Sequence, residues 1–199
     1  MKFLDIYQRL PGLTLGFHGC DRSIGEAVLA DPKGHLHKSQ NDYDCLGGGI
    51  YFWENDPKRA LEFAREVKER PHISRGKISD PFVVGAVIDL GLCCNLLDRR
   101  ALMDVAESFQ VLDALAQVAG TPLPSNGENR RTRRLDCLVI ENMHKLRKMQ
   151  GAADYDTVRG AIWEGDPLFT GAAIEALNHV QIAVRTLDCV KGYFRPREG

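Results

Sequence analysis

The chain has 199 residues, of which 44% are hydrophobic and 27% charged, a composition typical of a globular protein with one substantial core. Its formal net charge is -1, so overall charge favours neither nucleic acid nor a membrane surface as a partner. The N-terminus mixes Lys2, Asp5 and Arg9 with apolar residues, unlike a signal peptide, and no apolar run is long enough to span a bilayer. We therefore expect one cytoplasmic domain over residues 1–199.

The cysteines and histidines do not form a metal-binding pattern. None of the six cysteines belongs to a Cys-x-x-Cys pair, and Cys93 and Cys94 are adjacent, which suits neither a zinc knuckle nor a disulfide framework. His35 and His37 lack further ligands at suitable spacing. We expect reduced, mostly buried thiols and no metal.

Alternation and turn signals predict the first elements. The period of two from Leu13 to Phe17 indicates a strand. A capping-box pattern predicts a helix over Ser23–Leu29, with Ser23 as its N-cap. The polar segment Asp31–Asp44 contains Pro, Gly, Ser and Asn, so we expect a long loop there.

The middle of the chain alternates between strands and helices. Ile50–Trp53 is predicted as a strand, followed by a helix that has Asp56 as N-cap and Pro57 at its first position. The apolar run Phe82–Leu90 indicates a strand buried on both faces. Apolar residues from Leu102 to Ala119 recur at spacings of three and four, which predicts an amphipathic helix.

The C-terminal third completes an α+β pattern. A loop over Gly120–Arg134 and a helix over Leu135–Met149 precede a strand at Thr157–Trp163. His179–Arg185 alternates as a strand, and Val190–Phe194 is expected to continue it after a bulge. Without strict βα alternation, the pattern indicates an α+β single domain.

Two glycine-flanked segments each carry one polar ring. Residues 16–20 read Gly-Phe-His-Gly-Cys with His18 at the centre, and residues 46–54 read Leu-Gly-Gly-Gly-Ile-Tyr-Phe-Trp-Glu with Tyr51. A ring beside glycines, where a ligand can approach the backbone, indicates a pocket for a flat polar molecule. A structural histidine and an ordinary strand tyrosine are the alternatives.

Together these segments resemble the first two signatures of the His-Tyr-Glu class of ADP-ribosyltransferases, which includes the poly(ADP-ribose) polymerases. The resemblance implies a split β-sandwich with flanking helices, and NAD as substrate. It implies that His18 holds the nicotinamide-side ribose and that the backbone of Gly19 binds the carboxamide. Tyr51, beside Gly49, is then expected to pack on the nicotinamide ring.

The same resemblance implies two further aromatic contacts. Phe63 is the nearest candidate for the second aromatic residue on the helix that follows Tyr51. Tyr43 lies in the segment that covers the adenosine end of NAD in that class, and it is a candidate for stacking on a base. Turn chemistry explains the polar residues of this segment equally well.

The third signature departs from the class because Gln181 stands where a glutamate is expected. Glutamine keeps a hydrogen bond to a ribose hydroxyl but supplies no negative charge for an oxocarbenium-like transition state. Mono-transfer is therefore favoured over polymer synthesis. Glu164 ends a predicted strand and either enters the cleft or caps a turn; Glu54 and Glu175 are weaker candidates. Arg159, in an apolar strand, needs a carboxylate or phosphate partner.

The basic run Arg130–Arg134 is either a solvated surface or a contact for phosphates of RNA, DNA or an acidic partner. A Gly-x-Gly-x-x-Gly segment, a P-loop and a Gly-x-Ser-x-Gly elbow are all missing from the sequence.

We therefore interpret the chain as an NAD-dependent mono-ADP-ribosyltransferase that acts on a protein or nucleic acid. The resemblance also implies a toxin or phage-defence role, with an antitoxin or regulatory protein as partner. A non-catalytic NAD or ADP-ribose binding module and an NAD glycohydrolase are the alternatives.

Overall fold

The computed structural model describes residues 12–128 and 132–197. Within them the chain forms one seven-stranded sheet and four α-helices, so the expected α+β class is confirmed. The strands are β1 (Leu13–Asp21), β2 (Ile50–Glu54), β3 (Pro81–Asp89), β4 (Cys93–Asn95), β5 (Thr157–Ile162), β6 (His179–Val184) and β7 (Val190–Phe194). The helices are α1 (Arg22–Ala30), α2 (Pro57–Glu69), α3 (Arg99–Ala119) and α4 (Arg134–Met149).

The sheet opens near its middle. The strand order is β4-β5-β6-β2-β1-β3-β7, and every pair is antiparallel except β4 with β5. β1 pairs with β3 over its full length, but with β2 only at Gly16 opposite Glu54 and Phe17 opposite Trp53. Beyond Phe17 the strands β1 and β2 separate.

α2 begins as the sequence predicts and covers the unpaired part of β1. The carboxylate of its N-cap, Asp56, accepts a hydrogen bond from the backbone N–H of Arg59, and Pro57 occupies the first turn. The helix packs so closely on β1 that a Cβ on Gly19 would lie 2.1 Å from the carbonyl oxygen of Ala60. Helix packing alone therefore requires glycine at position 19.

Alternation along β2 divides its side chains between two cores. Ile50 and Phe52 are fully buried in a core built with β3, β6 and β7. Tyr51 and Trp53 face the other side, and Trp53 lies opposite Gln181 of β6. α3 and α4 pack on this second side, over a core that Tyr51 adjoins.

Two local predictions are wrong, and one short strand has no counterpart in the sequence analysis. α1 is capped by Asp21 rather than Ser23, because the Asp21 carboxylate accepts the backbone N–H of Ser23. Val190–Phe194 does not continue β6 but pairs with β3 at the far edge, since the turn at Leu187–Cys189 redirects the chain. Strand β4 was not predicted, because its 3 residues are too few to show a period.

The apolar face predicted for α3 is buried against the core only in part. Ala101 and Ser108 are its buried residues, whereas Leu102 and Phe109 are 50% and 39% exposed. The Ser108 hydroxyl donates a 2.8 Å hydrogen bond to the carbonyl of Val139 in α4. Ser108, with its hydroxyl hydrogen-bonded, therefore lies at the contact with α4. The side of α3 that faces α4 is rotated from the apolar side that the sequence predicts.

The six cysteines are free thiols, and all but Cys45 are buried. Over the described residues, none of the helices combines the length and the apolar character needed to traverse a bilayer.

Candidate functional site

A cleft lies on the Tyr51 side of the sheet, beside the point where β1 and β2 separate. Its volume is about 270 Å³. Six residues singled out from the sequence line it: His18, Tyr43, Tyr51, Phe63, Glu164 and Gln181. The fold thus brings distant parts of the chain to one cavity, while the role of each residue stays a prediction.

His18 bridges the gap between the two separated strands. Its Nδ1 lies 2.7 Å from the carbonyl oxygen of Tyr51. Because a carbonyl only accepts, Nδ1 carries the proton, and Nε2 keeps a lone pair. Burial lowers the pKa of His18, and the hydrogen bond to Tyr51 opposes this shift without reversing it. The imidazole is therefore neutral near neutral pH and offers a hydrogen-bond acceptor.

The hydroxyl of Tyr51 is fully engaged by the turn that precedes β2. It donates to the carbonyl of Gly47 at 2.7 Å and accepts from the backbone N–H of Leu46 at 2.9 Å. Burial raises the pKa of Tyr51 well above its ordinary value, so the phenol stays protonated. Tyr51 therefore presents the face of its ring to the cleft rather than a reactive hydroxyl.

That turn is itself held by an ion pair between α4 and the end of β6. Glu141 of α4 accepts the backbone N–H of Gly48 at 2.8 Å, and Arg185 donates to the Gly48 carbonyl at 3.0 Å and to Glu141 at 2.7 Å. Gly47 adopts φ +73, and a Cβ there would lie 2.6 Å from a Glu141 oxygen. The glycines therefore allow α4 and the end of β6 to fix the turn that holds Tyr51.

Gln181 is fixed in the sheet between Trp53 of β2 and Gly160 of β5. The thiol of Cys45 donates to Gln181 Oε1 across 3.4 Å. Burial raises the pKa of Cys45 to about 12, so this thiol stays protonated. The side-chain amide of Gln181 can still donate to a ligand, but it carries no charge.

Glu164 follows β5 and forms part of the cleft wall. Its Oε2 accepts from Arg59 Nη2 at 2.9 Å, and the two side chains are 16% and 5% exposed. The Arg59 guanidinium lies 5.7 Å from the centre of the Trp53 ring, and His179 Nδ1 lies 3.8 Å from the same Glu164 oxygen. The cleft therefore contains a shielded carboxylate whose charge Arg59 offsets.

Aromatic rings and a second arginine complete the walls. The ring of Phe63 lies 5.0 Å from that of Trp53, between ring centres. Tyr43 reaches the cleft from the loop before β2, and its carbonyl accepts the backbone N–H of Arg133 at 3.2 Å. Arg133 also lines the cleft. Flat apolar surfaces and a guanidinium are thus close together.

Two motif glycines do not line this cleft. Gly19 lies under α2, as described above. Gly49 pairs with Ser39, with backbone hydrogen bonds of 2.8 and 3.0 Å, and borders a larger hollow of about 730 Å³ across the loop. The predicted contacts of Gly19 and Gly49 with NAD stay predictions, while each glycine has a packing role of its own.

Arg159 and the basic run Arg130–Arg134 are the arginines that the sequence singles out. Arg159 donates to Glu54 at 2.5 and 2.8 Å, so the ion-pair alternative is correct, and this pair engages Glu54 as well. In the basic run, Arg134 pairs with a loop aspartate at 3.1 Å. Arg130 and Arg131 lie outside the described residues.

Sequence reasoning missed Arg59, Trp53 and Cys45 as cleft residues. Arg59 did give a signal, because it lies in the first turn of α2, where the helix dipole disfavours a cation and a specific partner is needed. Trp53 shares the face of Tyr51 by strand alternation. Cys45 gave no signal, because its position depends on the fold of the loop.

No family model, curated protein or solved structure matches this chain. In the parts of the chain that the structure describes, no cluster of His, Cys, Asp and Glu could hold a metal ion. The groups that the cleft presents are a neutral imidazole, aromatic faces, an amide, a guanidinium and a shielded carboxylate. These groups suit a flat ring joined to a group rich in hydroxyls.

Proposed function

We propose that this protein is an NAD-dependent mono-ADP-ribosyltransferase, which transfers ADP-ribose to a protein or nucleic-acid acceptor and releases nicotinamide. The observation that carries the proposal is the cleft shared by the neutral imidazole of His18, the ring face of Tyr51 and the amide of Gln181. The separation of β1 from β2 supports the split β-sandwich that this class uses.

The size of the cleft suits part of NAD. Pockets that enclose drug-sized ligands measure roughly 300–1,000 Å³, and the cleft, at about 270 Å³, lies just below that range. It matches the nicotinamide and its ribose, with the rest of the dinucleotide extending past Tyr43 and Arg133. A guanidinium there favours the diphosphate.

The chemistry follows from these positions. The pyridine ring packs on Tyr51, and Nε2 of His18 accepts a hydrogen bond from a ribose hydroxyl. The bond between C1′ and the pyridinium nitrogen breaks, and its electron pair stays on nicotinamide. The acceptor bonds to C1′ and loses its proton. Holding the reactants in position removes a large share of such a barrier. Glu164 is the cleft carboxylate that stabilises positive charge at C1′.

Two observations favour a second candidate, a non-catalytic NAD or ADP-ribose binding module. Gln181 is uncharged, and Glu164 is paired with Arg59. A module of this kind needs the ring contacts and hydrogen bonds of the cleft but no free carboxylate.

Nicotinamide release from NAD, measured by chromatography with and without cell lysate, distinguishes the candidates. A transferase releases nicotinamide only with an acceptor, a glycohydrolase releases it alone, and a binding module releases none. With NAD labelled on the adenylate phosphate, loss of macromolecular label after nuclease identifies a nucleic-acid acceptor, and loss after protease identifies a protein.

The matched variants are His18→Ala and His37→Ala. His37 is an exposed histidine outside the cleft, so its variant should release nicotinamide at the normal rate, whereas His18→Ala should release almost none. Normal release by folded His18→Ala would overturn the assignment.

A further inference from the structure

The C-terminal half of α3 displays an apolar surface. Val111, Leu115 and Val118 are 39%, 60% and 89% exposed, and Ala114 among them is exposed as well. These positions repeat at helical spacing, so the four side chains lie along one side of the helix. We call these four residues the α3 stripe. A single exposed leucine is ordinary on a protein surface. Several apolar side chains along one face of a helix are instead the pattern by which amphipathic helices bind partners.

The stripe is displayed because α3 packs on α4 through a different side and mainly through its first half. Asp104 lies 3.8 Å from Arg147, and the Ser108 hydroxyl lies 3.1 Å from the amide of Asn142, so the two helices run antiparallel. The far end of α3 is nonetheless a complete helix, closed by Gly120 in the left-handed conformation. The surface is therefore preformed, which lowers the entropic cost of binding.

The charge around the stripe restricts what can cover it. Within α3 from Ala101 onward the charged residues are Asp104, Glu107 and Asp113, with no lysine or arginine, and of these Asp104 lies on the α4 side beside Arg147. Glu107 is exposed one turn before Val111 and extends the same side of the helix. A second copy of α3 would set carboxylates against carboxylates, and an anionic membrane surface would repel them. A helix that combines apolar residues with lysine or arginine satisfies both the stripe and Glu107.

We propose that the α3 stripe is the docking site for an amphipathic, basic helix of a separate protein. The partner's apolar residues cover Leu115 and its neighbours, and a partner cation pairs with Glu107. This interaction surface is separate from the cleft and does not depend on NAD chemistry.

The test uses the full chain and a fluorescein-labelled amphipathic peptide, with leucine at heptad positions a and d and lysine at e and g. Fluorescence anisotropy should show binding that weakens as salt is added. A peptide with glutamate in place of lysine should bind about tenfold more weakly or worse. Leu115→Ser should weaken binding of the lysine peptide by about tenfold, whereas Leu168→Ser, at a leucine of matched exposure (57%) in the turn between β5 and β6, should not.

The charge is tested by Glu107→Lys, which should reverse the preference between the two peptides. Equal affinity for both peptides, an unchanged preference in Glu107→Lys, or equal effects of the two leucine variants would overturn the proposal. A dimer detected by light scattering and dissolved by Leu115→Ser would show that a second copy occupies the stripe instead. Binding of phosphatidylcholine vesicles that Leu115→Ser abolishes would show a lipid surface instead.

Discussion

Replacing Tyr51 with phenylalanine separates the ring of this residue from its hydroxyl. The substitution keeps the ring that faces the cleft but removes two hydrogen bonds, to the Gly47 carbonyl and from the Leu46 N–H. Leu46 and Gly47 are both buried, so water cannot readily replace the lost partner. Each buried polar group left unsatisfied costs about 1–3 kcal/mol, so the loss of two partners should lower the free energy of unfolding by roughly 2–6 kcal/mol.

That loss is within the stability of a typical domain, about 5–15 kcal/mol, so Tyr51→Phe should remain folded at room temperature. Urea unfolding measures the change, and Tyr155→Phe is the matched control. Tyr155 is a buried tyrosine whose hydroxyl donates one hydrogen bond, at 2.9 Å, to Asp104. Its loss should cost about 1–2 kcal/mol and should leave the cleft unchanged.

Nicotinamide release then tests the role of the ring. Tyr51→Phe should keep most of its turnover at temperatures where it is folded, whereas Tyr51→Ala should lose it, because only the alanine variant removes the surface against which the pyridine packs. Equal loss of turnover in folded Tyr51→Phe and Tyr51→Ala would refute the reasoning and would make the hydroxyl the important group.

Three further predictions concern charge. Gln181→Glu should preserve or raise nicotinamide release, because a carboxylate stabilises positive charge at C1′; a fall of several orders of magnitude would show that the site needs an amide. Arg59→Leu should lower the free energy of unfolding by about 3–5 kcal/mol in urea titrations, because it removes the guanidinium that offsets the charge of the shielded Glu164 carboxylate, and adding Glu164→Gln should restore much of the loss; additive losses would contradict this. Burial lowers the pKa of His144 from 6.5 to about 4. Between these pH values the imidazole is protonated in the unfolded chain but neutral in the folded one, so the free energy of unfolding falls as pH falls. This group alone lowers it by roughly 3 kcal/mol. His144→Phe should therefore flatten the fall in stability between pH 7 and pH 4, as measured by denaturant unfolding at each pH; equal slopes in His144→Phe and the wild type would refute the pKa argument.

The elements that the sequence predicts well are those with a long, regular pattern. β3 and β6 follow from an apolar run and a strict alternation, and the start of α2 follows from Asp56 and Pro57. These patterns follow from the local geometry of a strand or a helix, so they can be interpreted without knowing which distant residues pack against the element. For β7 the predicted range Val190–Phe194 is confirmed but its continuation of β6 is wrong, because the pairing of an edge strand depends on where the chain turns beforehand.

The cleft itself depends on contacts that local patterns do not contain. The gap beside His18 exists because β1 and β2 stay paired over only two positions. Arg59 and Glu164 are 105 residues apart in the sequence, and neither position alone indicates the other. The motifs around His18 and Tyr51 therefore indicate a shared pocket, and Glu164 is a candidate from its place after β5, but its pairing with Arg59 could be found only in the structure.

The two halves of the cleft are held in different ways, and this difference bears on the proposed chemistry. His18, Tyr51 and Gln181 lie in or directly beside the sheet, whose ladders fix their positions. Glu164 lies outside the strands, and its carboxylate is bound by Arg59 of α2 with His179 Nδ1 3.8 Å away. If Glu164 supplies the charge that Gln181 lacks, loosening the contact with α2 should impair bond cleavage much more than NAD binding. A binding module offers no reason for such a separation, because it breaks no bond and so does not need the Glu164 charge at C1′.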